Sequence, residues 1–137
     1  MSDATYTGGC LCGGVRYRVA GKAANLCYCH CESCRRAAGA TMVAWGTFAR
    51  EKFVVTEGRL AKYKSSPHVT RGFCANCGTS ITYHHDKRPA EIDVTLVSLD
   101  NPKVLEPVAH IWVQDKLPWV GIDDGRPSFE KFRPSDS

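Results

Sequence analysis

Hydrophobic and polar positions alternate with a period of two in several short stretches, the mark of strands with one buried face. Val15, Tyr17 and Val19 alternate with Arg16 and Arg18, giving one apolar and one basic face. The same reading predicts strands over Met42 to Phe48, Phe53 to Thr56, Leu60 to Tyr63, Ser80 to Tyr83, Ile92 to Val97 and Ala109 to Val113. Gly58, Pro67, Asp100-Asn101-Pro102 and Asp123-Asp124-Gly125 punctuate the gaps. Only Glu32 to Ala38 reads as helix, with Gly39 placed to stop it. A mainly β fold with one short helix follows. No repeat or low-complexity linker divides residues 1–137, so a single domain is expected, with a polar tail from about 125. Ile92 to Val97 is a candidate edge strand through which two chains could pair, but the pattern fixes no oligomeric state.

Composition narrows the function classes. Hydrophobic residues make up 43% of the 137 positions and charged residues 23%, ordinary values for a globular protein able to bury a core. A net charge of +4, with 18 basic residues spread along the chain and no basic arm, gives no reason to expect a nucleic-acid partner. No apolar run approaches the roughly 18–20 residues of a membrane span. Met1 to Tyr6 carries neither a basic start nor an apolar stretch, so no export signal is expected. The expected location is the cytoplasm, where thiols stay reduced and paired cysteines usually hold metal.

Eight cysteines then change the picture. Cys74-Ala75-Asn76-Cys77-Gly78 has the two-residue gap and the glycine of a zinc knuckle. Cys10 and Cys12, flanked by Gly8, Gly9, Gly13 and Gly14, lie two apart on extended chain and so share a face. In a tetrahedral site with Zn–S near 2.3 Å, neighbouring sulfurs lie roughly 3.8 Å apart, a spacing both pairs can supply. Neither pair completes a site alone. Together they predict a closed, structural four-thiolate zinc that ties the start of the chain to its middle.

Cys29-His30-Cys31-Glu32-Ser33-Cys34 offers three thiolates at the start of the expected helix. Three protein ligands leave a fourth position open, as in catalytic zinc sites, and the helix N-terminus favours thiolates. Two zinc ions per chain are therefore expected. Cys27 either closes this second site as a fourth ligand or is a core thiol. His30, between two ligands, is expected to point its ring elsewhere. Arg35 and Arg36 follow directly and either lower thiol pKa values, bind a carboxylate or cover a solvated helix face. His68, His84 and His85 read as surface histidines, with proton shuttling the sharper alternative. Trp112, Trp119 and Tyr63 read as core or pocket wall. An iron–sulfur protein would use the same cysteines, but the knuckle spacing favours zinc.

These residues resemble those of a known family, the glutathione-dependent formaldehyde-activating enzymes, a group that includes the centromere protein V domain. The resemblance runs through Gly9-Cys10-Leu11-Cys12-Gly13 with Val15-Arg16-Tyr17, then Cys29 to Arg35 with Gly39. It continues through Arg71-Gly72-Phe73-Cys74-Ala75-Asn76-Cys77-Gly78-Thr79 and Leu99-Asp100-Asn101-Pro102, and ends in His110-Ile111-Trp112 and Pro118-Trp119. The resemblance implies an Mss4-like, zinc-bound β fold. It implies structural zinc on Cys10, Cys12, Cys74 and Cys77, and active-site zinc on Cys29, Cys31 and Cys34. Cys27 lies outside the family pattern. The implied activity is that of a carbon–sulfur lyase adding the thiol of glutathione to formaldehyde. Arg35 and Arg71, with Arg36 and Lys116, are the candidates for the carboxylates of glutathione. The competing expectation is a non-catalytic zinc module that binds a protein, as Mss4 does. An enzyme should keep a cleft over Cys29, Cys31 and Cys34. A binding module should have Cys27 or His30 filling the second site, and an exposed apolar patch.

Overall fold

The computed structural model describes residues 4–134. Among the described residues, ten strands form two sheets, and one short, largely exposed helix lies beside them. The smaller sheet contains β1 (Thr5–Gly9), β2 (Arg16–Ala20) and β5 (Phe53–Glu57), in the order β1-β2-β5 and antiparallel throughout. The larger has seven strands: β3 (Ala24–Cys29), β4 (Val43–Ala49), β6 (Ala61–Ser66), β7 (Val69–Phe73), β8 (Ser80–His85), β9 (Glu91–Thr95) and β10 (Ala109–Ile111). Their order is β10-β3-β4-β9-β8-β7-β6, and β10 alone among them pairs in parallel, with β3. Helix α1 (Glu32–Ala38) connects β3 to β4. Among the described residues, no helix is long and apolar enough to cross a membrane.

The amphipathic reading of β2 is borne out: Tyr17 and Val19 are buried and Arg18 is exposed. Tyr17 and Val19 meet Ala44 and Phe48 of β4, and Ile92 and Val94 of β9, in the main hydrophobic cluster. A second cluster is separate from it. It holds Cys27, Cys29, Cys34, Val43, Trp45 and Ile111 on the other face of β3 and β4. Strand β4 is buried on both faces because Val43 and Trp45 belong to this cluster, and Ala44 and Phe48 to the main one.

Several expectations are corrected. Strands β1, β3 and β7 form where no alternation predicts them. The strand expected over Ile92 to Val97 ends at Thr95 and closes into a single 3-10 turn, Leu96–Ser98, where the Ser98 hydroxyl donates to the Thr95 carbonyl at 2.8 Å. Nor is it an edge: β9 lies between β4 and β8. Trp119 and Tyr63 are exposed, at 72% and 63% of their surface, not core. The segment read as a polar tail is tied down as far as residue 131. His110 N–H donates to Pro127 O (2.9 Å), Phe129 N–H to His110 O (2.9 Å) and Trp112 N–H to Lys131 O (2.9 Å).

Gly58 follows the end of β5 and packs against the loop that carries the first cysteine pair. Its φ is +68°, and a Cβ there would stand 2.1 Å from the carbonyl oxygen of Gly14. Both the left-handed backbone and the collision with main chain forbid a side chain. Gly58→Ala is expected to lower stability by about 2–4 kcal/mol in urea titration.

Candidate functional site

Two loops bring the first cysteine group together. In each, the leading cysteine closes a tight turn through its backbone: Cys10 N–H donates to Val15 O at 3.1 Å, and Cys74 N–H to Thr79 O at 3.0 Å. Glycines with positive φ, Gly13 and Gly78, allow the reversal. The sulfur atoms of Cys10, Cys12, Cys74 and Cys77 all lie within 4.8 Å of one another. Cys10 and Cys12 Sγ are 3.6 Å apart, and Cys12 and Cys74 Sγ 3.8 Å. Backbone amides aim at the sulfurs: Val15 N–H donates to Cys10 Sγ (3.2 Å) and Cys77 N–H to Cys74 Sγ (3.4 Å). Thr79 Oγ1 accepts from Leu11 N–H at 3.0 Å and stands 3.3 Å from Cys77 Sγ, to which it can donate its own proton. That hydroxyl, with neighbouring backbone amides, holds the Cys77 thiol down at about 5.

The second group forms at the β3–α1 junction. Cys29 ends β3, Cys31 caps the helix with its Sγ accepting from Cys34 N–H (3.3 Å), and Cys34 is buried within α1. Gly39, in the left-handed region, stops the helix and donates to Arg35 O at 2.7 Å, as the sequence predicts. The three sulfurs lie within 4.8 Å of one another, and each cysteine group could hold a metal ion. Cys27 is not part of this group. It points to the same side of β3 as Cys29, and burial pushes its thiol up to about 12.

Arg71 of β7 completes the sulfur pole. Its two terminal nitrogens each approach Cys34 Sγ at 3.8 Å, its Nε donates to Ser65 Oγ at 3.1 Å, and its guanidinium lies 5.2 Å over the Tyr83 ring. Cys34 is consequently the thiol that ionises first, at about 3, through hydrogen bonds from Cys29 and Cys31 and the charge of Arg71. Cys29 is driven the other way, chiefly by its hydrogen bonds to Cys31 and Cys34. Strand β7 also ends one residue before Cys74, so a single strand connects Arg71 at one cysteine group to the other group.

His30 turns away from the sulfurs, as expected. Its Nε2 meets His110 Nδ1 at 2.9 Å, and His110 Nε2 meets Asp124 Oδ2 at 2.7 Å. The hydrogen bond from His110 holds the Asp124 carboxyl down at about 2, so it accepts from Nε2–H. That leaves His110 Nδ1 to accept from His30. With His30 N–H donating to Ile111 O at 3.0 Å, the Cys29–Cys31 turn is fixed to β10 from two directions. Chain spacing gives no sign of this network, because His30 and His110 are 80 positions apart.

A cavity of about 830 Å³ opens over the three sulfurs. Cys29, Cys31, Cys34 and Arg71 form one end, and Trp45, Thr47, Tyr83 and Asp93 extend along the sheet. Trp112 is a wall residue, as expected, joined at the rim by Phe132, which meets it edge-on with centroids 5.3 Å apart. The sequence singles out none of Trp45, Thr47, Tyr83 and Asp93. The Thr47 hydroxyl donates to Asp93 Oδ1 at 2.6 Å, while burial pushes the Asp93 carboxyl up to about 6. His84 and His85 face different cavities, and His85 belongs to this one. Arg35 is not part of the wall: its guanidinium donates to the carbonyls of His30 (3.3 Å) and Asp115 (3.5 Å). Neither this cavity nor a second one, beside β5 and β6, is lined by any of Cys10, Cys12, Cys74 and Cys77.

Comparison with known proteins adds family and fold. Residues 5–115 match the family described as glutathione-dependent formaldehyde-activating enzyme. An uncharacterised lyase of Schizosaccharomyces pombe is 32% identical over 93 residues, covering 66% of this chain and 67% of the yeast protein. A crystal structure of a Rhodobacter sphaeroides protein superposes with a TM-score of 0.58 at 22% identity, over 90% of this chain and 98% of that one. The last of these is a likeness of fold alone.

Proposed function

The chain belongs to the family of glutathione-dependent formaldehyde-activating enzymes, and from that membership we propose a zinc-dependent carbon–sulfur lyase-type enzyme. It adds a thiol such as glutathione to formaldehyde or a related carbonyl, in the cytoplasm. Cys10, Cys12, Cys74 and Cys77 hold a structural zinc, and Cys29, Cys31 and Cys34 a second one. The observation that carries this reading is a contrast: the three-sulfur group lines a cavity of about 830 Å³, and the four-sulfur group lines neither that cavity nor the one beside β5 and β6. That volume lies within the roughly 300–1,000 Å³ of small-molecule sites. The filled second site expected of a non-catalytic binding module is not favoured, since Cys27 stands outside the sulfur group and His30 is engaged with His110.

The donor sets fit zinc. Soft thiolates at tetrahedral spacing, each group supported by backbone N–H donors, suit zinc better than the hard cations. Zinc bound by three thiolates would offer a fourth position in which a substrate thiol is held as its thiolate near neutral pH. The residues of the chain do the rest. Arg71 keeps a positive charge beside Cys34 and balances the charge gathered at the sulfur pole. Trp45, Ile111 and Trp112 give that end of the cavity an apolar wall. In the addition, sulfur bonds to the carbonyl carbon, the carbon–oxygen π bond opens, and the proton lost from sulfur ends on oxygen as a hydroxyl.

Two measurements test the reading together. Elemental analysis of the purified chain is expected to give two zinc ions. Exchange NMR is expected to show glutathione and formaldehyde interconverting with their adduct faster than in buffer. One zinc per chain, with an interconversion rate equal to that of buffer, would overturn it.

A further inference from the structure

The cavity has a second polar pole, and strand register fixes where it lies. Arg71 pairs with Tyr83, Tyr83 with Asp93, and Asp93 with Thr47, one row across β7, β8, β9 and β4. Neighbouring strands are about 4.8 Å apart, so Asp93 stands two spacings, on the order of 10 Å, from Arg71. Arg71 reaches Cys34, so the sulfur group and the carboxylate occupy opposite ends of one cavity. Between them, Trp45 and Tyr83 form an aromatic floor with ring centroids 5.9 Å apart.

Asp93 stands half-buried in the wall of this cavity. Its hydrogen bond comes from a neutral hydroxyl, that of Thr47. Arg88, the nearest arginine along the chain, acts on Asp93 through its charge, while its hydrogen bond goes to Glu91 at 3.0 Å. A half-buried carboxylate whose partner is a hydroxyl is costly to keep charged, and a cation brought in by a ligand would offset that cost.

We propose that Asp93 receives the ammonium group of the substrate, so that the cavity selects thiols carrying a primary amine well separated from the sulfur. The γ-glutamyl end of glutathione has that chemistry. A small aminothiol such as cysteine, whose sulfur and nitrogen are close neighbours, cannot reach both poles. The inference rests on the thiol reading above, with the substrate's sulfur at Cys29, Cys31 and Cys34.

The test is a binding comparison on the zinc-loaded protein, by titration calorimetry with glutathione, N-acetylglutathione and S-methylglutathione. Wild type is expected to bind glutathione roughly tenfold to a hundredfold more tightly than the N-acetylated thiol, the worth of one charge-assisted hydrogen bond. Asp93→Asn, which is isosteric and can still accept from Thr47, is expected to bind the two alike, at the wild-type affinity for the N-acetylated form. Equal binding of both thiols to wild type, or a preference that survives in Asp93→Asn, would overturn the assignment of Asp93 and leave the thiol site standing. S-Methylglutathione binding as tightly as glutathione, or no binding of any of the three, would overturn the thiol reading and this assignment with it.

Discussion

Cys74→Ser is expected to yield a chain that does not fold at 37 °C and carries neither zinc. A structural zinc contributes about 10–16 kcal/mol of apparent binding free energy, as much as or more than the roughly 5–15 kcal/mol that separates folded from unfolded domains. Cys74 is buried, and its sulfur meets that of Cys12 across 62 positions of chain, so its loss releases a long loop as well as the metal. Cys10 and Cys74 also belong to the main hydrophobic cluster, with Val15, Tyr17 and Leu99, so the metal group and the apolar core stand or fall as one. A second zinc on Cys29, Cys31 and Cys34 is expected to be lost with it, because β7, which ends beside Cys74, is the strand that holds Arg71 against Cys34. Circular dichroism melting and elemental analysis read both effects. A melting temperature within a few degrees of wild type, with zinc content unchanged, would mean that this group is not a metal centre.

Cys34→Ser should behave differently: folded, with one zinc, and inactive. Two sulfurs and a hydroxyl make a poor set for zinc, so an ion at this group is expected to be lost, while one at the four-cysteine group, on separate loops, is expected to stay. The rate of thiol–carbonyl interconversion is expected to fall on the order of 10³-fold toward the buffer rate, the scale of several kcal/mol that a metal site supplies. Stability should fall by only about 1–3 kcal/mol, because Arg71 loses its sulfur partner but keeps Ser65 and the Tyr83 ring. A variant that retains both zincs and full activity would exclude Cys34 from the site.

The cysteine groups were legible because ligands suited to one metal ion sit at short spacings along the chain: one residue separates Cys10 from Cys12, and two separate Cys74 from Cys77. Strand β2 was legible because its apolar and basic residues alternate strictly. Strand β3 was not, because Asn25, Cys27 and Cys29 on its cavity side read as polar residues and ligands, which masks Leu26 and Tyr28 on the core side. Strand β7 was hidden by Thr70, Arg71 and Gly72, a polar run whose arginine is buried for the sake of Cys34. Strand β1, Thr-Tyr-Thr-Gly-Gly, has little apolar character and owes its form to pairing with β2. The wall of the cavity was the least legible part. Thr47, Tyr83 and Asp93 come from three strands, and register alone, a property of the folded sheet, sets them in one row.

The division of the buried side chains into two clusters has a consequence for motion. Amides around Cys10, Tyr17, Phe48 and Val94 belong to the larger cluster and should exchange with solvent only through whole-molecule opening. Those around Cys29, Cys34 and Trp45 belong to the smaller one, which closes over a hollow, and they can exchange through a sub-global opening of lower free energy. A molecule built this way can breathe at its chemical end, admitting and releasing a ligand the size of a tripeptide, while the rest of the chain stays shut.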